Sequence, residues 1–388
     1  MSDAAAIYKY RQSLEREISH IEKDPLNGEM ILKYYRSRVA EGISIARILK
    51  CISTLKLISR RLRKPFTDAK KEDIVDLIAG VEERDISPWT KHDYKVVLKK
   101  FYKWLKDSES PPEVSWIKIP TNIRNNLVKE RLLTPEEINK LAEVATNIRD
   151  KALILVLFET GRRIGEILTL RIRDVEFDQY GARLTIDGKT GPDLSRVVAS
   201  APRLALWLDN HPLRNDREAP VWIGFGRKKN IQQVTYGAAR AMLRDCADRA
   251  GLNKRVFFHL FRHSRATQAS TVLTQAQMNH MFGWTQGSKM PSVYVHLAAK
   301  DLDDALFALN GLVKKKDESQ AEFKPNICPR CQNRNSPDSK FCNSCGTILD
   351  MGTAVQLDET RMKADRLLDK LTENPERLEK LLALLETA

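Results

Sequence analysis

Apolar residues recur at three- and four-residue steps along most of the chain, the period of helices buried on one side. Ile45, Ile48, Leu49, Ile52, Leu55, Ile58 and Leu62 share one face. Ser87-Pro88 puts a capping residue before a proline at the first helical position. The helix it starts carries Tyr94, Val97, Leu98, Phe101, Tyr102 and Leu105 on its apolar side, while Lys91, Lys95, Lys99 and Lys103 recur every fourth residue along one edge. That basic stripe reads either as a solvated face or as a surface for DNA. Asp107 to Thr121, with Pro111-Pro112 and Pro120, cannot form one regular element and reads as a linker. Thr134-Pro135-Glu136-Glu137 is a capping box that opens the next helix. Asp150 to Phe158 is apolar almost all round, so that helix is expected to be buried. Thr160-Gly161 then turns the chain into a short helix holding Arg163, Glu166, Ile167 and Leu170.

After Asp174 the period changes to two. Arg183 to Asp187 and Leu194 to Ala199 alternate like strands around Gly188-Lys189-Thr190-Gly191, a hairpin signal. Helical spacing then returns. The predicted fold class is therefore mainly α, with a small antiparallel sheet inserted in the second domain. The expected division is a helical domain over 1–107, a linker over 108–130, a second domain over 131–313 and a linker over 314–325. A cysteine segment over 326–349 and a helical tail over 350–388 complete it.

The chain has 388 residues with 65 Lys+Arg against 51 Asp+Glu, a formal charge of +14. Such an excess favours a polyanionic partner without naming an activity. The longest apolar run, Ala152 to Phe158, is too short to cross a bilayer, and the start Met1-Ser2-Asp3 lacks the basic and apolar regions of a leader. The expectation is a soluble cytoplasmic protein, nucleoid-associated, with no membrane partner. The tail inverts the charge balance, with nine acidic against six basic residues from Gly346 onward. Its leucines, Leu367/Leu368/Leu371 and Leu378/Leu381/Leu382/Leu385 on either side of Asn374-Pro375, suit a protein partner or a second copy rather than DNA.

Six cysteines divide unequally. Cys51 and Cys246 stand alone in helical sequence and are expected to be buried thiols. Cys328, Cys331, Cys342 and Cys345 form C-x2-C-x10-C-x2-C, two knuckles whose thiolates can converge on one zinc ion. Four protein ligands leave no open position, so the metal would be structural.

Three segments of the second domain hold reactive side chains: Thr160-Gly161-Arg162-Arg163-Ile164-Gly165-Glu166, His259-Leu260-Phe261-Arg262-His263, and Gly283-Trp284 through Tyr294-Val295-His296. Singly, an arginine on a helix is a surface ion pair and a tyrosine between valines a core residue. His259 and His263 share a helix face, as zinc ligands of metalloproteases do, but Leu260 stands where that chemistry needs a glutamate base.

In this order the segments resemble the tyrosine recombinase (phage-integrase-like) family. That family pairs an arginine in T-G-x-R-x-x-E with a hairpin lysine, H-x-x-R-H, Gly-His or Gly-Trp, and a nucleophilic tyrosine. The matching residues are Arg163 with Glu166, Lys189, His259 with Arg262 and His263, Trp284 and Tyr294. Trp284 replaces the commoner histidine, and the interval to Tyr294 is one residue longer than usual, with Gly287 available to absorb it. The helices around Ser87 to Leu105 are similar to the family's DNA-gripping domain. The cysteine segment is similar to zinc ribbons that follow the catalytic domain in some archaeal members.

The resemblance implies a site-specific recombinase acting on double-stranded DNA as a homo-tetramer on two sites, with no cofactor for catalysis beyond structural zinc. Arg163 and Arg262 would stabilise the phosphate's charge in the transition state, and Tyr294 would attack phosphorus to leave a 3′-phosphotyrosine. Lys189 would protonate the leaving oxygen, and His259 would hydrogen-bond the phosphate and help accept the tyrosine proton. Trp284 would orient the same phosphate, while Glu166 and His263 would fix the arginine and its helix. The same residues could serve a type IB topoisomerase-like nicking-closing enzyme. A non-catalytic DNA-binding regulator on this scaffold would have no use for Tyr294.

Overall fold

The computed structural model describes residues 7–120, 131–188, 191–224, 232–295 and 323–372. The chain divides after Val128 into two compact units.

The first unit comprises α1 (Tyr10–Ile21), α2 (Gly28–Ala40), α3 (Ile45–Leu62), α4 (Lys71–Glu82) and α5 (Pro88–Leu105). Its core collects the faces that the periodicity marks: Ile48, Ile52, Leu55 and Ile58 from α3, and Tyr94, Val97, Leu98, Phe101 and Tyr102 from α5. Phe101 meets Tyr34 and Phe66 edge-on at 5.3 and 4.7 Å between ring centres, a preferred aromatic geometry. The Ser87 hydroxyl accepts from the Thr90 amide, the cap that the sequence predicts. Asn27 is buried, and its amide is satisfied by Ser59 Oγ, the Lys64 carbonyl and the Phe66 amide.

One expectation fails here. The proline-rich stretch after Asp107 is not all linker, because Val114 and Ile117 are buried in this core. Prolines forbid a regular element there but not apolar burial. Cys51 is also only half-buried, whereas Cys246 is fully buried as expected.

The second unit opens with α6 (Pro135–Val144), whose Thr134–Glu137 capping box is present, and α7 (Ile148–Thr160), buried on every side from Ala152. Glu159 at the end of α7 is buried but satisfied, accepting from the amides of Val198, Ala199 and Ser200 and from the Ser200 hydroxyl. After the short α8 (Ile164–Leu168) come β1 (Val175–Asp178), β2 (Gly181–Gly188) and β3 (Gly191–Val197), an antiparallel sheet in that order. Ala182, Leu184 and Ile186 of β2 alternate inward. β1 escapes sequence reading because its four residues are too few, and too exposed, to show a period.

Helices α9 (Ala201–Asp209), α10 (Tyr236–Arg249), α11 (Phe258–Ala269), α12 (Gln275–Phe282) and α13 (Met290–Val295) follow. The short pair β4 (Asn326–Ile327) and β5 (Arg334–Asn335) belongs to the cysteine segment, and α14 (Met351–Thr372) follows it. The tail helix thus starts soon after the last cysteine, and Leu378 to Leu385 lie outside the described residues. Among the described residues no helix is long and apolar enough to cross a membrane.

The cysteine segment is part of the second unit and is seated on its helices. Asp338 pairs with Arg203 of α9 at 2.7 Å, with both side chains mostly buried. Phe323 packs edge-on against Phe158 of α7, and Arg334 Nη1 reaches the Gln179 carbonyl at 3.3 Å.

Candidate active site

α7 ends at Gly161, whose φ of +59° suits glycine and where a Cβ would overlap the Phe282 ring. α12 ends at Gly283 with φ +58°, where a Cβ would lie 2.5 Å from Arg162 Nη1. The Thr-Gly and Gly-Trp segments are therefore glycine-bearing for one shared reason: each packs on a side chain of the other.

This junction aims the arginines. Arg163 caps α8, and Glu166 holds it twice, from the backbone amide at 3.1 Å and from Nη1 at 2.6 Å. Its side chain is 39% exposed, leaving the rest of the guanidinium open. Arg262 on α11 is buried. Its Nη1 donates to the Gly161 carbonyl at 3.1 Å and its Nη2 to the Phe282 carbonyl at 2.7 Å. Among the described residues no carboxylate pairs with it. Burial, and then the Arg163 cation, lower its pKa to about 10. It also lies 5.1 Å from the Trp284 ring centre, within cation–π range.

His259 is exposed on the same helix, with its pKa lowered by desolvation and then by the Arg262 and Arg163 cations. Its ring meets His263 edge-on at 5.5 Å. His263 Nδ1 lies 2.8 Å from the Tyr294 hydroxyl. Burial, followed by His259 and Arg262, drives the His263 pKa to about 4, so near neutrality the imidazole is uncharged. Tyr294 stacks on Trp284 at 5.7 Å and 9° and is only 1% exposed, with burial raising its pKa. His263, expected to fix an arginine and its helix, is instead bonded to the tyrosine.

The structure thus brings Arg163, Glu166, His259, Arg262, His263, Trp284 and Tyr294 together. Lys189 lies outside the described residues, between Gly188 and Gly191, which pair across the hairpin. Gly287, φ +78°, sits in the loop before α13, where the extra residue was expected. Arg162 escaped sequence reading because an arginine beside Arg163 looks like surface charge; it is 1% exposed and bonded across three segments.

The four lysines of the α5 stripe all have partners inside the first unit. Lys91 bonds the Glu82 carbonyl, Lys95 pairs with the Glu82 carboxylate at 2.7 Å, Lys99 bonds the Ile117 carbonyl at 2.9 Å and Lys103 pairs with Glu109 at 2.6 Å. They hold α5 to its surroundings, so the stripe is not free charge.

Cys328, Cys331, Cys342 and Cys345 place their sulfurs within 4.8 Å of one another, with two pairs at 3.5 Å. A tetrahedron with metal–sulfur bonds of about 2.3 Å has edges of about 3.8 Å, so the donor set fits zinc. Asn335 Nδ2 reaches Cys342 Sγ and Thr347 Oγ1 lies 3.2 Å from Cys345 Sγ, contacts that orient ligands.

Residues 131–301 match the phage integrase family, and residues 327–349 match a zinc-ribbon domain. The tyrosine recombinase XerA of Pyrococcus furiosus is 27% identical over 220 residues, 55% of this chain and 71% of that protein. A lambda integrase dimer bound to a COC′ core site has a similar fold, with TM-score 0.55 and 15% identity over 71% of this chain and 79% of that one. The XerH site-specific recombinase bound to palindromic difH substrate in a post-cleavage complex gives TM-score 0.51 at 16% identity, covering 78% and 96%.

Proposed function

Starting from a chain that belongs to the phage integrase family of tyrosine recombinases, we propose that it is a site-specific DNA recombinase working through a 3′-phosphotyrosine. The observation that carries this is the Arg262 guanidinium: buried, bonded among the described residues only to carbonyls, and close to Arg163 and His259. Glu166 pairs with Arg163, but among the described residues no carboxylate pairs with Arg262, and a DNA phosphate would supply that counter-charge. Charge-assisted bonds from the two guanidiniums to the non-bridging oxygens strengthen as negative charge builds on them, so this chemistry needs no metal ion.

Tyr294 then attacks phosphorus, forming the Tyr–O–P bond as the P–O5′ bond breaks, while His259 helps to accept the phenolic proton. The 5′ oxygen takes a proton, a role that the family resemblance assigns to Lys189. The phosphodiester energy stays in the linkage, so a second DNA end can reverse the step without ATP. Tyr294 is buried against His263 and Trp284, so engaging DNA must turn the phenol outward.

Exchanging two duplexes breaks four strands at one tyrosine each, which supports a homo-tetramer on two sites in the cytoplasm, where the DNA lies. The four cysteines hold structural zinc in this reading. The exposed Val355, Met362, Leu367 and Leu368 of α14 suit a protein partner. The test is a nicked suicide duplex: wild type is expected to form a covalent adduct, and Tyr294→Phe to bind without forming one. An adduct in that variant removes Tyr294 from the mechanism, and plasmid relaxation without a second site turns the reading toward a nicking-closing enzyme.

A further inference from the structure

Arg162 is a charged side chain with 1% exposure, and its guanidinium spans three separate segments. Its Nε donates to Ser195 Oγ at 3.0 Å, and its Nη2 pairs with the Asp193 carboxylate and donates to the His280 carbonyl at 3.2 Å. Asp193 and Ser195 are two apart on β3, so they project from the same side of the hairpin, while Leu194 between them is exposed. His280 is in the last turn of α12, and Gly283 just beyond it approaches Nη1 so closely that no side chain fits. The other Asp193 oxygen lies 3.3 Å from the His280 ring. One cation therefore ties the segment leading into Arg163 to the strand of the hairpin and to the turn that presents Trp284.

Apolar residues could fill this space at lower cost, because desolvating an ion pair costs several kcal/mol per ion. What an apolar filler cannot do is fix direction. Two nitrogens of a planar guanidinium, bonded to a hydroxyl and a carboxylate on β3 and to a carbonyl on α12, hold those two segments in one arrangement against the Arg162 backbone.

We propose that Arg162, with Asp193 as its counter-ion, is a positioning residue that fixes the Trp284 turn and the β2–β3 hairpin against Arg163, and so sets the geometry in which the reacting phosphate is held. This rests on the recombinase reading above. Arg162 touches no substrate in it; it acts through Arg163 and Trp284.

The test uses the full chain in four further forms: Arg162→Met, Asp193→Asn, the double variant, and Arg162→Lys. Tm, DNA affinity and the single-turnover rate of adduct formation on a suicide duplex are measured. Each single neutralisation strands the partner charge and is expected to lower Tm and rate together. The double variant is expected to recover Tm and bind DNA within about threefold of wild type, yet cleave slower by about tenfold or more, the scale of a small misplacement of reacting groups. Arg162→Lys keeps the charge but loses the fork, and is expected to fold and bind normally while cleaving slowly, which keeps the test decisive if the double variant does not fold. Wild-type cleavage in the double variant, or in Arg162→Lys, overturns the proposal alone. Failure of wild type to form any Tyr294-dependent adduct overturns the recombinase reading and this proposal with it.

Discussion

The Tyr294 hydroxyl is hydrogen-bonded at 2.8 Å to Nδ1 of His263, a ring whose pKa lies at about 4. With the phenol raised above its ordinary 10, the proton has no reason to cross that bond. His263 in this arrangement holds the hydroxyl and does not activate it. A bound phosphate would neutralise part of the Arg262 charge that depresses His263, raising the basicity of the ring as substrate arrives.

The pH dependence of stability follows with a definite sign. An unfolded histidine takes up a proton near 6.5, and folded His263 only near 4. Between those values the unfolded chain binds more protons, so this contribution is complete above about 6.5 and is lost as pH falls toward 4. His211 is also lowered, by burial first, and acts in the same direction. Thermal melts are expected to show Tm falling as pH drops below 6.5. His263→Asn should flatten that slope without abolishing it; an unchanged slope refutes the buried neutral ring.

Arg262→Ala removes the transition-state contact proposed for this residue and leaves the Gly161 and Phe282 carbonyls without their donor. Loss of ~2.7–4 kcal/mol of transition-state stabilisation is expected, or ~10²–10³ in the rate of adduct formation. Glu166→Gln keeps a hydrogen-bond partner for Arg163 and should lose less. The ranking of the single-turnover rates, with Glu166→Gln above Arg262→Ala, checks the assignment.

The lysines of α5 give a contrasting expectation. Lys95 and Lys99 are engaged with Glu82 and the Ile117 carbonyl, so alanine at either should reduce the stability of the first unit by about 1 kcal/mol or less. The dependence of log K for DNA on log salt should hardly change. A loss of ~0.9 in that slope for each lysine removed would restore the stripe as a phosphate surface.

Much of this was legible in sequence because the physics is local. Ser87, Thr134 and the face of Ile48 to Ile58 report on the next few residues only, and the structure places them as read. The active-site residues could be collected through family resemblance, but not their mutual contacts. Whether His263 faces Tyr294 or an arginine depends on how α11 meets α13, and no spacing encodes that. Arg162 is the clearest miss, because charge beside charge looks solvated, and the internal partners of the α5 lysines are equally invisible in a helical period. The partners, Asp193 at a separation of 31 residues and Ile117 at 18, are set by tertiary packing.

The seat of the cysteine segment predicts that metal and catalytic unit share stability. Asp338 lies between the two cysteine pairs and is 1% exposed, with Arg203 of α9 at 2.7 Å. Four thiolates without their metal repel one another, and a segment this small has little core of its own to hold Asp338 in place. Chelating zinc from the full chain is therefore expected to lower the Tm of the second unit and to speed amide hydrogen exchange in α9. Exchange in α11, among the described residues without a hydrogen bond or ion pair to the segment, should change less. Asp338→Asn should weaken the seat by up to about 3–5 kcal/mol, the scale for stranding one member of a buried pair. In that variant chelation should move α9 exchange little further. If chelation leaves α9 protected in wild type, the cysteine segment is a passenger whose metal matters only to itself.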